Sequence, residues 1–338
     1  MAISLNLDSF EQISALAAKL PKTDTVAADA ARARQSQLTK PPGSLGRLED
    51  LAIFMAGWQA TERPKIETAQ ALVFAGNHGV CAQGVNPFPQ EVTAQMVLNF
   101  QSGGAAINQL CAVSGAELSV IALDLERPTA DFTQGAAMTE QECLGAMHRG
   151  AKVVDPNADV LVLGEMGIGN STVAAALSHA AFKGQAIDWV GAGTGTSPEG
   201  MAHKAEVVAK GIKMHRDAQG LAQLAALGGR EQAAICGAIL AARMARIPVL
   251  LDGFICTAAA APLFVSDPAF LDHCLIGHAS REPGHQKLCY AMGKEPILFL
   301  DMALGEGSGA ALALSILRGA LACHNGMATF AEAGVSGS

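Results

Sequence analysis

From residue 70 onward, short apolar runs recur at strand length: ALVFAG, LSVIALDL, DVLVLG, IDWVG, IPVLLDG, HCLIG and PILFLDM. Ala- and Leu-rich stretches with helical periodicity separate most of them. Strands that are apolar throughout, with helical segments between them, predict βαβ units and a parallel sheet covered on both faces. Right-handed crossovers then give a doubly wound or related α/β sheet. Before residue 66 the pattern is helical. Phe10, Ile13, Leu16, Ala17 and Leu20 open a periodic run that extends to residue 37, and a second amphipathic helix starts near Leu48. Between them, Pro41 and Pro42 stop one element, and Gly43 and Gly46 allow a tight loop.

The ends of the predicted strands carry the chemistry. They read AGNHGV (75–80), GEMGIGNST (164–172), GAGTG (191–195), DGF (252–254), GHAS (277–280) and, after PILFLDM, ALGEGSG (303–309). Open parallel sheets bind ligands beyond the carboxyl ends of their strands. Glycine, polar and ionisable residues gathered at these ends predict one cleft built from several loops.

Composition narrows the partners. The 338 residues are half apolar, 16% charged and only 4% aromatic, with 36 glycines. Small apolar residues at that density suit closely packed helices and sheets, and a chain of this length buries a large core. A net charge of −8 supplies no basic stripe for phosphate backbones, so nucleic acid is not the expected partner. The eight cysteines form no CxxC pair and lie in apolar stretches, as reduced core residues do. The first twenty residues have neither a basic n-region nor a long apolar h-region. GFICTAAAAPLFV is too short to span a bilayer and contains Pro262. A cytoplasmic protein with no membrane segment is expected.

Individual motifs leave alternatives open. In GEMGIGNSTVAAAL, Gly167 and Gly169 allow close backbone approach, and Asn170, Ser171 and Thr172 open a helix whose free N–H groups suit a phosphate. The same residues also read as an N-capped helix after a tight turn. The motif lacks the GK[ST] ending of a P-loop. GAGTGTSPEGMAHK offers Gly191, Gly193 and Lys204 to the same anion, although a lone lysine is commonly a solvated helix residue. It is also half of a dinucleotide fingerprint, without the downstream acid that holds a ribose. Asn77 and His78 sit at a strand end, where a histidine is as readily packed as catalytic. The nine histidines show no metal spacing, and neither a nucleophile elbow nor a placed cysteine nucleophile is visible. Glu165 and Glu306 each follow an apolar run among glycines, and Glu306 is the only charge between Asp301 and Arg318. Semi-buried there, such a carboxylate has a raised pKa and suits a general base. Capping helix N–H groups is the competing role.

Taken in order, TKPPGSLGRLE, AGNHGV, GEMGIGNST, GAGTG, PVLLDGF and ALGEGSGAAL closely resemble the nicotinate-nucleotide–dimethylbenzimidazole phosphoribosyltransferase family, from about residue 30 to about residue 325. The resemblance implies a Rossmann-like, mostly parallel sheet with helices on both faces. It also implies a small helical domain, residues 1–65, which the C-terminal helix joins, beside an α/β domain over 66–338. The implied reaction moves the phosphoribosyl group of nicotinate mononucleotide to 5,6-dimethylbenzimidazole, as in cobalamin assembly, without a cofactor and in a homodimer. The family's catalytic glutamate falls on Glu306, and Glu165 falls beside the bound base and ribose. Gly167, Gly169, Asn170, Ser171 and Thr172 fall on the 5′-phosphate cradle, with Lys204 near it and Gly191 and Gly193 lining the nucleotide. Asn77, His78, Phe88 and Leu304 complete the expected substrate contacts. Pro41, Pro42, Gly43, Ser44 and Arg47 match a signature loop, expected at the site's rim or a dimer contact. Two departures bear on the acceptor: some members carry Asp at the position of Asn77, and some carry Ser at that of Phe88. The rival readings are a nicotinamide-dinucleotide dehydrogenase and a nucleotide sensor of the same fold.

Overall fold

The computed structural model describes residues 5–193 and 195–336. Six strands form one all-parallel sheet: β1 (Ala69–Ala75), β2 (Ala116–Ala122), β3 (Val160–Met166), β4 (Val249–Leu251), β5 (Cys274–His278) and β6 (Pro296–Leu298), in the order β2-β1-β3-β4-β5-β6. The chain steps from β1 outward to β2, then returns across β1 to β3. The switch in direction therefore falls between β1 and β3, which pair from Ala69↔Val160 to Ala75↔Met166. That is where an open α/β sheet leaves a crevice.

Alternation along the strands feeds two cores. Leu72, Phe74, Leu161, Leu163 and Leu251 face one layer, which includes helices Glu140–Lys152, Asn170–Phe182, Arg230–Met244 and Phe254–Ser266. Ala71, Val73, Val160, Val162 and Leu250 face the other, with helices Arg47–Gln59, Ala106–Ser114 and Ser308–Gly326. The glycine-rich composition has a use here. A Cβ on Gly150 would stand 1.9 Å from the Ala234 carbonyl oxygen, and one on Gly237 would stand 1.8 Å from that of Met147. Helices Glu140–Lys152 and Arg230–Met244 thus cross almost backbone to backbone.

The N-terminal helical run, expected to continue from residue 10 to residue 37, is instead broken around Pro21, which cannot continue a helix. Helix Phe10–Leu16 ends in a short 3₁₀ turn, and Asp24 caps helix Thr25–Gln37 by accepting the Ala27 N–H at 2.9 Å. That helix packs on Arg47–Gln59, and Arg34 ties it to the C-terminal helix by donating to the carbonyls of His324 (2.8 Å) and Met327 (2.9 Å). The TKPPGSLGRLE loop braces the edge of the sheet. Arg47 donates to the carbonyls of Glu295 and Pro296, and Lys40 pairs with Glu49 at 2.7 Å. Pro296 begins β6, so Arg47 anchors the loop at the amino end of that strand rather than at the site's rim, one of the two places expected for it.

One predicted strand is absent. IDWVG forms a 3₁₀ turn, Ala186–Trp189. The chain reverses through Lys183 (φ +64°) and Gly184 (φ +92°). The Trp189 indole then donates back to the Lys183 carbonyl at 2.8 Å, and the Asp188 carboxylate accepts the Gln185 N–H at 3.2 Å. These local bonds take the groups a sheet ladder would need. The eight cysteines are free, and among the described residues no helix is long and apolar enough to cross a membrane.

Candidate active site at the carboxyl ends of the strands

A cavity of about 270 Å³ opens at the carboxyl edge of the sheet. The turns after β1, β3, β4, β5 and β6 all contribute to its wall, through Phe88, Gly167, Asp252, Ser280 and Glu306 among others. Two ends of opposite character share this space.

One end is built for an anion. After β3, the turn Gly167–Gly169 leads into helix Asn170–Phe182, with Gly169 in the left-handed region (φ +89°). Lys204 comes from helix Pro198–Met214 and is buried, with its Nζ donating to the Ser171 hydroxyl at 3.1 Å. Among the described residues no carboxylate lies within ion-pair distance of it. Burial lowers the lysine's pKa, and the Glu282 carboxylate raises it in partial opposition. A buried ammonium whose only close partner is a hydroxyl favours an incoming anion. Gly193 closes over this end: its N–H donates to Glu282 at 2.9 Å, and a Cβ on it would stand 3.0 Å from the Ser171 hydroxyl.

The other end holds carboxylates. Glu165 is buried, and Asn170 donates its amide N–H to one of its oxygens. Burial pushes its pKa up to about 8, helped by the charges of Asp252, Glu231 and Glu306 and opposed by the Asn170 amide. That shift favours the protonated form of Glu165 near neutral pH. Glu306 is also buried, in a left-handed turn (φ +66°) before helix Ser308–Gly326. Burial raises its pKa too, the Ile107 backbone N–H opposes this, and Asp252 adds to the rise. One of its oxygens has no hydrogen-bond partner among the described residues. Asp252 holds the turn by accepting the N–H groups of Gly307 (3.1 Å) and Ala310 (2.9 Å). Of the four carboxyl groups that line the cavity, Glu165 and Glu306 sit in unequal environments, which fits an acid–base division of labour.

Apolar side chains form much of the remaining wall. Phe88, Val92, Met96, Met166, Ile255 and Leu304 border the cavity, and Phe88 (46%) and Leu304 (48%) remain exposed at its mouth. Such a slot suits a flat aromatic ring.

Most of the residues singled out from sequence meet here. Glu165, Gly167, Gly169, Asn170, Ser171, Gly193, Lys204, Phe88, Leu304 and Glu306 all line the cavity. Four do not. Asn77 donates to the Leu125 carbonyl at 3.1 Å, and His78 pairs with Glu231 at 3.0 Å behind the wall. Thr172 is buried one residue beyond the lining. Gly191 packs on Glu282, whose Oε2 would lie 2.0 Å from an added Cβ. Asp252, His278, Ser280 and Glu282 carry no sequence motif that singles them out, although DGF and GHAS stand out as strand ends. All four line the cavity. His278 lies 3.4 Å from Asp252, in space left by Gly253 and Gly309. GAGTG follows a 3₁₀ turn rather than a strand, so it lacks the strand–turn–helix setting of a dinucleotide fingerprint.

A parallel α/β sheet with a buried lysine and several carboxyl groups around one cavity at the carboxyl ends of its strands defines an enzyme-like cleft. Residues 20–335 match the sequence profile of a family described as phosphoribosyltransferase. The nicotinate-nucleotide–dimethylbenzimidazole phosphoribosyltransferase of Rhodobacter capsulatus is 62% identical over 332 residues, 98% of this chain and 99% of that protein. The Roseobacter denitrificans protein of the same name is 58% identical over 97% of this chain and 98% of its own length. The crystal structure of CobT from Thermus thermophilus superposes with a TM-score of 0.86 at 40% identity, covering 93% of this chain and all of that one. The chain belongs to the nicotinate-nucleotide–dimethylbenzimidazole phosphoribosyltransferase family, a family of pentosyl-transferring enzymes.

Proposed function

We propose that this protein transfers the phosphoribosyl group of nicotinate mononucleotide to 5,6-dimethylbenzimidazole, giving α-ribazole 5′-phosphate and nicotinate for cobalamin assembly, with Glu306 as general base. The observation that carries the reading is the Glu306 carboxylate. It is buried with one oxygen unpartnered, in the same cavity as the buried Lys204 ammonium and an apolar slot.

The chemistry asks little of the leaving group. When the bond from the anomeric carbon to the pyridinium nitrogen breaks, its electron pair stays on that nitrogen and the ring leaves uncharged. The acceptor needs more. The benzimidazole lone pair bonds to the anomeric carbon, the ring becomes cationic, and its N–H proton passes to a carboxylate. Glu306 takes that proton and, until it does, stabilises the positive charge. Lys204, Ser171 and the Gly167–Gly169 turn hold the 5′-phosphate. Protonated Glu165 remains uncharged beside the sugar and offers a donor to its oxygens. Phe88 stacks on the acceptor base.

A homodimer belongs to the same reading. Phe299 and Leu300 are exposed just before Leu304 at the cavity's edge, and covering them suits a second copy. Sedimentation of the purified protein checks this, with a monomer at micromolar concentration as the contrary outcome.

An end-point assay decides the main claim. The protein is mixed with nicotinate mononucleotide and 5,6-dimethylbenzimidazole, and the products are separated by chromatography. Equal amounts of nicotinate and α-ribazole 5′-phosphate are expected. Nicotinate alone would make water the acceptor. Tight nucleotide binding without either product would favour a sensor.

A further inference from the structure

Behind the carboxylate end lies a pair of groups that the mechanism leaves unused. His78 and Glu231 are fully buried, and neither lines the cavity. The His78 Nε2 stands 3.0 Å from a Glu231 oxygen. Apart from each other, the two side chains have no polar partner among the described residues. Three glycines make room for them. A Cβ on Gly76 would stand 2.3 Å from Glu231 Oε2, one on Gly229 2.3 Å from His78 Cε1, and one on Gly167 2.9 Å from His78 Nε2. Gly76 follows β1, Gly229 precedes helix Arg230–Met244, and Gly167 begins the anion turn after β3. The pair fills the point where these three segments meet, and the anion turn rests on the imidazole.

Stability is a poor reason for it. A buried polar pair is often matched or bettered by apolar side chains of the same size, since desolvation offsets much of the attraction. Its position offers a better one. Asp252 after β4, Glu306 before the last long helix and Glu231 are the charged carboxyl groups acting on Glu165, and the Asn170 amide is its hydrogen-bond partner. The Cys256 thiol faces the same cluster from helix Phe254–Ser266. Glu231 is the member of that set which touches no substrate space.

We propose that His78 and Glu231 are positioning residues for the phosphoribosyl-donor half of the site, acting through the Gly167 turn and Glu165. The imidazole fixes where the turn presents its N–H groups. The Glu231 charge keeps the Glu165 proton in place without competing for ligand. The inference rests on the transferase reading, so its test includes measurements that need no turnover.

The full-length protein is compared with Glu231→Gln, Glu231→Asp and the double variant His78→Gln/Glu231→Gln. The infrared carbonyl band of protonated Glu165, assigned by its loss in Glu165→Gln, is followed against pH. Calorimetry measures binding of nicotinate mononucleotide and, separately, of 5,6-dimethylbenzimidazole. In Glu231→Gln the band should vanish about one pH unit earlier, because removing a nearby negative charge lowers the Glu165 pKa. Nucleotide binding should weaken about tenfold, the scale on which residues behind a site act, with acceptor binding unchanged. Glu231→Asp keeps the charge and should leave the band at its original pH. The double variant leaves no lone buried charge, so it should melt near the parent while keeping the weakened nucleotide binding. A double variant that melts, binds and titrates like the parent would reduce the pair to filler and overturn the proposal. An Asp variant whose band moves as far as that of the Gln variant would remove Glu231's electrostatic part. Absence of turnover in the parent protein, with these shifts present, would sink the transferase reading and leave the positioning role standing.

Discussion

Gly164 lies directly under the backbone of Glu306: a Cβ on Gly164 would stand 2.4 Å from the Glu306 carbonyl oxygen and 2.6 Å from the Gly307 nitrogen. A central strand thus sets how deep the turn bearing the proposed base can sit. From the neighbouring strand, Asp252 takes the N–H groups of Gly307 and Ala310. Glu306 itself holds a left-handed conformation that costs a non-glycine residue roughly 1–2 kcal/mol. Surrounding bonds offset that cost, and the result is a carboxylate whose direction is fixed by backbone rather than by side-chain partners.

If Glu306 accepts the acceptor's proton, Glu306→Gln should keep the shape of the site and lose the chemistry. Turnover should fall by about 10²–10⁴, the usual range for removing a general base. Melting temperature and affinity for nicotinate mononucleotide should stay near the parent's. Steady-state kinetics beside calorimetry checks this, and a variant with parental turnover would strip Glu306 of the role.

The same two carboxyl groups predict a pH profile with two limbs. Glu306 must be ionised to act, and burial raises its pKa, so activity should fall on the acid side at a pH above the ordinary glutamate value. Glu165 is taken to act protonated. Its pKa of about 8 places the alkaline fall near that pH. In Glu165→Gln, whose amide stays uncharged, the alkaline limb should disappear while the acid limb remains. An alkaline limb that persists unchanged in this variant would assign it to another group.

Much of this site was legible because a parallel sheet delivers all its strand ends to one edge. AGNHGV, GEMGIGNST and ALGEGSG announce themselves by glycine beside ionisable residues, and helix Asn170–Phe182 starts where its polar triplet predicts. The failures have local causes. IDWVG has a strand's apolar content, but the Trp189 indole and the Asp188 carboxylate satisfy the backbone of a turn instead. His78 looks like a strand-end ligand, yet its partner is Glu231, more than 150 positions away and visible only in three dimensions. Asp252 and His278 were missed for the converse reason. Their short loops carry no glycine-rich phosphate motif, and their value lies in the turn of Glu306, which they reach across the sheet.

Lys204 offers a prediction on binding alone. A buried ammonium that meets a phosphate makes charge-assisted hydrogen bonds worth about 1.5–3 kcal/mol each. Lys204→Met keeps the side chain's apolar length, so affinity for nicotinate mononucleotide should drop roughly 10- to 100-fold. Affinity for nicotinate riboside, which lacks the phosphate, should hardly change. Equal losses for both ligands would place the lysine elsewhere in the mechanism.

Stability against pH follows from Glu165 as well. Its pKa is raised in the folded state, so folding favours the protonated form. The protein should lose stability as pH climbs from the ordinary glutamate range toward about 8, and little more from this group beyond it. The slope in that window approaches about 1.4 kcal/mol per pH unit for one such group. Glu165→Gln has no proton to lose and should melt higher than the parent at pH 9 while matching it near pH 5. Parallel melting curves for the two proteins across that range would contradict the assignment.

The contact between Gly164 and Glu306 yields the sharpest mutational contrast. In Gly164→Ala the new methyl meets backbone atoms, which cannot rotate away, so either β3 or the Glu306 turn must move. Overpacking of this kind costs about 1–3 kcal/mol. Strand β3 is paired on both sides, so the turn is the softer side. Turnover should therefore fall by more than the stability change explains, with nucleotide affinity less affected. Gly145→Ala is the control. Gly145 is exposed on helix Glu140–Lys152, nothing lies within 4 Å of an added Cβ, and alanine there should add about 0.5–1 kcal/mol of stability. Thermal melts and turnover measured on both variants decide the matter. A Gly164→Ala protein that is less stable but turns over like the parent would show that the depth of the Glu306 turn does not govern catalysis.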